Sequence, residues 1–129
     1  MASVFETHGA FSWNELLTDD VPGAIEFYRR LFGWRMENLP DAPMPYAVVH
    51  AGSRAIGGIM TIPCQADGMP PTWCSYVTVD DVDALAARVP HMGGKLLVPP
   101  QDIPKVGRFA VIRDPQGAVL NVITYFRPA

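Results

Sequence analysis

The sequence has only two cysteines, no run of lysine or arginine, and no long apolar stretch. Cys64 and Cys74 have nine residues between them, which matches neither a CxxC motif nor a zinc-knuckle spacing. Without a basic run the sequence carries no nucleic-acid-binding footprint. No segment approaches the about 18 apolar residues that a membrane span requires, so neither a nucleic acid nor a membrane is expected as a partner.

The same absences bear on the cellular compartment. The N-terminal residues lack a basic region followed by an apolar core, so they do not predict a secretory signal. Two free thiols in such a chain indicate the reducing cytoplasm. The alternative, a disulfide between Cys64 and Cys74, remains open at this stage.

What the sequence does contain is enough apolar material for a buried core. Hydrophobic residues make up 49% of the 129 residues, and the formal net charge is −3. A chain of this length is typical of one domain and is short for two independent domains. We therefore predict a single domain over residues 1–129.

The two halves of the chain repeat one pattern. Asp19-Asp20-Val21 begins a helical stretch that ends near Gly33, and 61 residues later Asp80-Asp81-Val82 begins a second stretch. A strand-like run precedes each helix, at 11–18 and at 72–79. A loop and a hairpin-like pair of apolar runs follow each helix. Each copy therefore predicts the order β-α-β-β-β.

This repeat gives the predicted fold class, α+β, with eight strands and two helices. The first module covers about residues 8–63 and the second about residues 71–126. A proline-rich loop is predicted over 100–104. The Gly57-Gly58 pair inside a predicted strand indicates a close backbone approach or a bulge.

At this point the residues resemble a known family. The run DDVPGAIEFYRRLFGW at 19–34 is similar to the opening of the vicinal oxygen chelate superfamily, which includes glyoxalase I, bleomycin-resistance proteins and extradiol dioxygenases. Residues 77–81, 92–94 and 109–117 resemble the second-half signatures of that superfamily. The likeness covers about residues 8–126. The Trp-x-Glu first strand is similar to that of bacterial glyoxalase-like proteins of undefined function.

The resemblance implies that the two tandem βαβββ modules form a curved mixed sheet around a cup-shaped cleft. It also implies where a metal would bind, since metal-bearing members take one ligand from the first and one from the last strand of each module. These ligands are His, Glu or Gln. The four positions fall on Trp13, near Gly58 or Ile59, on Cys74 and on Asn121. None is a histidine or a carboxylate, so we predict no cofactor, with an atypical divalent metal as the minor alternative.

The side chains left around the cleft predict a small-molecule pocket. The two-residue period of a strand places Glu15 on the same side as Trp13, and Tyr76 on the same side as Cys74. Arg108 lies where a cation could meet an anionic group at the rim. The candidate ligand-binding residues are Trp13, Glu15, Cys74, Tyr76, Asn121 and Arg108.

Each candidate also has a structural interpretation. Glu15, the candidate catalytic base, could instead only hold the shape of the cleft. Trp13 could belong to the core, Cys74 could be a small buried apolar residue, and Arg108 could lie at a solvated hairpin end. All three histidines are predicted at the surface: His8, His50 and His91.

The function predicted from these features is metal-independent binding of a hydrophobic or aromatic compound in the cup, by a homodimer. The first alternative is a glyoxalase-like enzyme, a lyase, isomerase or dioxygenase, that uses Glu15 as a base or has an atypical metal site. The second alternative is an interaction module with no small ligand. Fold likeness by itself does not decide among these.

Overall fold

The structure is a computed structural model that describes residues 3–40, 45–63 and 68–126. Cys64 lies outside these ranges, so the alternative of a disulfide between Cys64 and Cys74 also falls outside the described residues. Within the described ranges neither helix has the length and apolar character needed to cross a membrane.

The described residues form eight strands and two α-helices in the order β-α-β-β-β, repeated once. Their bounds are β1 Phe11–Thr18, α1 Val21–Phe32, β2 Arg35–Asn38, β3 Tyr46–Ala51, β4 Arg54–Thr61, β5 Thr72–Thr78, α2 Val82–Arg88, β6 Lys95–Ile103, β7 Gly107–Arg113 and β8 Val119–Tyr125. The predicted α+β class and the two tandem βαβββ modules are confirmed. Both parallel and antiparallel pairs occur, as a mixed sheet requires.

Two compact units are distinguished by their internal contacts: residues 13–74, and residues 1–12 together with 75–129. In the unit of residues 13–74 the strand order is β2-β3-β4-β1, and β1 and β4 run parallel. In the other unit the order is β5-β8-β7-β6, and β5 and β8 run parallel. The single domain over residues 1–129 stays a prediction.

Both helices begin where the sequence predicts, because an aspartate caps each one. The Asp20 carboxylate accepts a hydrogen bond from the Gly23 backbone N–H at 3.0 Å, and the Asp81 carboxylate accepts one from Ala84 at 3.1 Å. Helix α1 ends at Gly33, which has a φ of +74°, a left-handed conformation that a residue without a Cβ adopts readily.

Each unit has its own small core between its helix and its strands. The core of residues 13–74 contains Leu16, Ala47, Val49 and Ile59, and α1 packs against it. The core of the other unit contains Val79, Val82, Ala110 and Val122. By the two-residue period of strands, the neighbours of these residues face the opposite side of the strands, away from the helix.

The predicted loop over 100–104 is wrong for residues 100–103. Strand β6 continues through Pro99 and Pro100 to Ile103, with a shift in its pairing to β7 between Val98 and Gln101. A proline has no N–H for a ladder and is tolerated on an edge strand or at a bulge. Strand β6 is the last in the order of its unit, so both conditions are met.

Candidate functional site

Among the residues that the structure describes, Glu15 is the one buried carboxylate, and a fixed chain of hydrogen bonds leads to it. Its exposed fraction is 9%. The Tyr46 hydroxyl donates to Glu15 Oε2 at 2.8 Å, and the Trp13 indole N–H donates to the same hydroxyl at 3.0 Å. A phenol that accepts one hydrogen bond while it donates to a carboxylate is polarised in the direction that strengthens both.

The absence of a side chain at Gly58 permits this arrangement. Gly58 lies between Glu15 on β1 and Val48 on β3 in the strand pairing. A Cβ on Gly58 would overlap the phenol of Tyr46. The Tyr46 side chain therefore crosses strand β4 over Gly58 to reach Glu15.

Tyr46 is the member of this cluster that sequence reasoning missed. It lies 31 residues from Glu15 along the chain. The available signal was the Gly57-Gly58 pair, which predicts a close approach within the strand. At Gly57 that approach involves backbone, because a Cβ there would meet the Asn14 carbonyl oxygen.

Cys74 is half-buried and lies close enough to Glu15 to respond to its charge. Burial raises the pKa of the Cys74 thiol, and the negative charge of Glu15 raises it further. The thiol is therefore the stable form at neutral pH, which disfavours a nucleophilic role. The structure thus brings together three of the predicted residues, Trp13, Glu15 and Cys74, and adds Tyr46.

This coupling predicts a change in thiol reactivity. In a Cys64→Ser background, Glu15→Gln is expected to speed alkylation of Cys74 by iodoacetamide at pH 8 by about threefold, because loss of the nearby charge favours the thiolate. Glutamine keeps an acceptor for the Tyr46 hydroxyl. Intact-protein mass spectrometry over time gives the rate.

The matched control is Glu26→Gln. Glu26 is an exposed carboxylate of the same unit, bound to Arg29 on α1. Its substitution is expected to leave the alkylation rate of Cys74 unchanged. An equal rate in the Glu15→Gln protein and its parent would contradict the electrostatic coupling.

Tyr76 and Asn121 meet in the other unit. They are partners in the parallel pairing of β5 and β8, and their exposed fractions are 5% and 8%. The Phe109 ring lies 6.5 Å from the Tyr76 ring, centroid to centroid, at 55°. A phenol, an amide and a phenyl ring thus lie together, on the side of the strands that faces away from the α2 core.

Arg108 is engaged by two carboxylates of its own unit. Its Nε and Nη2 donate to Asp83 at 2.9 and 3.1 Å, and its Nη1 donates to Asp102 at 3.0 Å. These hydrogen bonds lower the pKa of Asp83 and raise that of Arg108. Alternation along β7 puts Arg108 on the opposite side from Phe109. Two of the three bonds hold it against Asp83 on α2 and the third against Asp102 on β6, and its role in binding a ligand stays a prediction.

The surface position predicted for the histidines is confirmed for two and wrong for one. His8 and His91 are exposed, and His8 Nδ1 accepts the Asp80 backbone N–H at 3.0 Å. Both ring nitrogens of His50 are buried, and neither has a hydrogen-bond partner in the described part of the chain. It pairs with Ala55 near the end of the β3–β4 hairpin, as predicted, but both ring nitrogens are shielded from solvent there.

The family's metal positions carry a donor set that does not fit a divalent metal. The Trp13 indole N–H is a donor already bound to Tyr46. The second metal-ligand position falls near Gly58 or Ile59. Gly58 pairs with Glu15 and has no side chain, and Ile59 is in the core with no exposed surface. In residues 3–40, 45–63 and 68–126, no group of three or more His, Cys, Asp or Glu residues is placed so that it could hold a metal ion. We derive no chemistry through a metal.

The chain is similar in sequence to curated proteins from Mycobacterium and Streptomyces. The "Putative glyoxylase CFP32" of Mycobacterium bovis is 42% identical over 123 residues, which are 95% of this chain and 46% of that protein. The anthracycline biosynthesis protein DnrV of Streptomyces peucetius is 31% identical over an alignment of 127 positions that covers 88% of this chain and 46% of that protein. The chain thus spans about half the length of these curated relatives.

A solved structure matches as well. Methylmalonyl-CoA epimerase from Mycobacterium tuberculosis superposes with a TM-score of 0.62 at 20% identity, covering 95% of this chain and 90% of the epimerase. At that identity the likeness shows the fold alone. The sequence model of the Glyoxalase/Bleomycin resistance protein/Dioxygenase superfamily matches residues 10–122, which span most of both βαβββ modules. On this match and this fold, the chain belongs to the glyoxalase, bleomycin resistance protein and dioxygenase superfamily.

Proposed function

We propose that the chain binds a hydrophobic or aromatic small molecule without a metal, through the strand face that carries Trp13, Glu15 and Tyr46. The observation that carries this proposal is the buried Glu15 carboxylate held by the Tyr46 hydroxyl. Burying a carboxylate costs free energy that hydrogen bonds must offset, and the fold supplies one from the Tyr46 hydroxyl to keep this group in place. A few fixed polar groups among aromatic walls are typical of small-molecule sites.

The cluster favours one kind of ligand. A carboxylate accepts hydrogen bonds and donates none, so a ligand facing Glu15 carries a hydroxyl or another donor. The rings of Trp13 and Tyr46 offer large, rigid contact surfaces to a flat apolar body. A planar aromatic compound with phenolic hydroxyl groups has both properties.

The names of the relatives support this class. DnrV of Streptomyces peucetius and DauV of a Streptomyces strain are both named anthracycline biosynthesis proteins. An anthracycline is a planar, fused-ring aromatic compound with phenolic hydroxyl groups. It therefore serves as the probe for the proposed site.

A matched pair of tyrosine substitutions tests the proposal. Tyr46→Phe is expected to weaken binding of an anthracycline to EDTA-treated protein at least about tenfold, because the substitution removes the hydroxyl that holds Glu15. Isothermal titration calorimetry measures the dissociation constant. Tyr28→Phe, which removes a hydroxyl that binds Trp73 elsewhere in the same unit, is expected to leave it unchanged.

Three results would overturn the proposal. The first is an equal loss of affinity in both variants. The second is binding that appears only after Mn²⁺ or Zn²⁺ is added back, which would establish a metal-dependent site. The third is no measurable binding of the probe by the unmodified chain.

The alternative is an enzyme in which Glu15 removes a proton beside a carbonyl group. The observation in its favour is that the Tyr46 hydroxyl holds the carboxylate in one position, as a base requires. Glu15→Gln separates the two functions, because an enzyme would lose turnover while its ligand still binds. A binding protein would show no turnover before or after the substitution.

Homodimer formation and a cytoplasmic location belong to the same proposal. Three apolar residues of α1 are more than half exposed, at 57% or 58%: Phe27, Leu31 and Phe32. Grouped apolar residues at a surface are typical of protein–protein contacts. This patch on α1 supports pairing of two chains.

A further inference from the structure

The unit of residues 13–74 contains a cavity that none of the candidate residues lines. Its volume is about 280 Å³. It is lined by Asn14, Trp34, Val49, Ile56, Gly57 and Trp73. Two of the three tryptophans of the chain thus face one small cavity.

This cavity is distinct from the Glu15 cluster. Asn14 and Gly57 line it, whereas their chain neighbours Glu15 and Gly58 belong to the cluster. Successive side chains of a strand point to opposite sides, so the two sites lie on opposite faces of β1 and β4. Val49 belongs to the core against which α1 packs, which places the cavity on the α1 side.

The two indole rings form a fixed corner. Their centroids are 6.0 Å apart and their planes are at 77°. The Trp73 indole N–H donates to the Tyr28 hydroxyl at 3.1 Å, and the Tyr28 ring stacks on Trp34 at 5.5 Å and 29°. Tyr28 thus holds both indoles in place, although Trp73 is 39% exposed.

The lining selects against charge. None of the six lining residues is ionisable, so a charged ligand would lose hydration without gaining a counter-charge. Two perpendicular rings suit a flat ring that stacks on one indole and meets the other edge-on. The volume lies just below the range of about 300–1,000 Å³ that is usual for drug-sized ligands, which limits the occupant to one or two fused rings.

We propose that this cavity is a second binding site, for a neutral, planar aromatic compound of one or two rings. It acts independently of the site proposed around Glu15. The corner of Trp34 and Trp73 provides the contact surface, and Val49 and Ile56 form the apolar floor.

The test uses the three tryptophans as reporters. In ¹⁵N-labelled full chain the three indole N–H signals are assigned with Trp13→Phe, Trp34→Phe and Trp73→Phe. Titration with quinoline is expected to shift the Trp34 and Trp73 signals saturably and to leave the Trp13 signal in place. Quinoline is neutral at pH 7 and has two fused rings, and it has no hydrogen-bond donor for Glu15.

Two variants locate the site. Ile56→Trp fills the cavity and is expected to raise the dissociation constant of quinoline at least about tenfold. Tyr46→Phe acts on the opposite face and is expected to leave that constant unchanged, although it weakens the anthracycline. The site around Glu15 and the cavity beside Trp34 and Trp73 can therefore be disproved independently of each other.

The unmodified protein decides the outcome even if Ile56→Trp does not fold. Absence of a saturable shift overturns the proposal. So does a shift confined to Trp13, or a shift of equal size in all three signals. Tighter binding of tetramethylammonium than of quinoline also overturns it, because that result would assign the aromatic corner to a cation.

Discussion

Gly58→Ala is expected to lower the free energy of unfolding by about 2–4 kcal/mol, through overpacking and the loss of hydrogen bonds to a buried carboxylate. The added Cβ would occupy the space of the Tyr46 phenol. The ring is rigid and must move as a whole, which breaks its bonds to Trp13 and Glu15. Urea denaturation followed by circular dichroism measures the change.

A double-mutant cycle separates this mechanism from a general intolerance of alanine at the position. In a Tyr46→Ala background the space above Gly58 is empty, so Gly58→Ala is expected to be neutral or to stabilise by up to about 1 kcal/mol. The two substitutions should therefore be strongly non-additive. Additive effects would show that the phenol is not what Gly58 accommodates.

Ile59→Ala is expected to be the most destabilising of the single substitutions considered, lowering the free energy of unfolding by about 2–5 kcal/mol. Ile59 has no exposed surface and packs with Leu16, Ala47 and Val49 beneath α1. Truncation removes buried methyl groups and leaves a cavity that the β4 backbone, paired on both sides, cannot close. The same urea titration measures the loss.

Val119→Ala is the control for that substitution. Val119 is also an apolar strand residue, on β8, but it is 58% exposed. Its truncation is expected to change the free energy of unfolding by no more than about 0.5 kcal/mol. Comparable losses at both positions would mean that Ile59 is not in a packed core.

Local chemistry explains why so much of the fold was predictable from the sequence. The caps at Asp20 and Asp81 depend on residues within one helical turn, and so both helices begin where the sequence indicates. Strand β1 alternates as expected, which places Trp13 and Glu15 on one side. The repeat 61 residues apart then gave the second module from the first.

The contacts that complete the candidate site are not local, and the sequence predicts them poorly. Tyr46 reaches Glu15 across an intervening strand, and the pairing register that permits this is set by tertiary packing. Arg108 finds Asp83 25 residues away, on a helix of the same unit. The burial of the His50 ring depends in the same way on how β3 packs with its neighbours.

The indole corner illustrates the same limit. Trp34 follows α1 and Trp73 is the second residue of β5, so nothing in their spacing of 39 residues predicts contact. The Tyr28 ring contacts both indoles. From the sequence alone, Tyr28 is recognisable only as one of the apolar residues that recur with a helical period along α1. A ring cluster drawn from three separate elements is visible only once those elements are packed.

The phenol of Tyr46 limits which single substitutions are possible at position 58. Gly58 is one of the two residues that the resemblance gives for the second metal position; it pairs with Glu15, and the Tyr46 ring already fills the space where its side chain would be. A histidine or glutamate at 58 is therefore compatible only with a chain that has first exchanged Tyr46 for a smaller residue. A side chain at 58 and the phenol at 46 are thus mutually exclusive, so single substitutions that lead from one to the other must begin at residue 46.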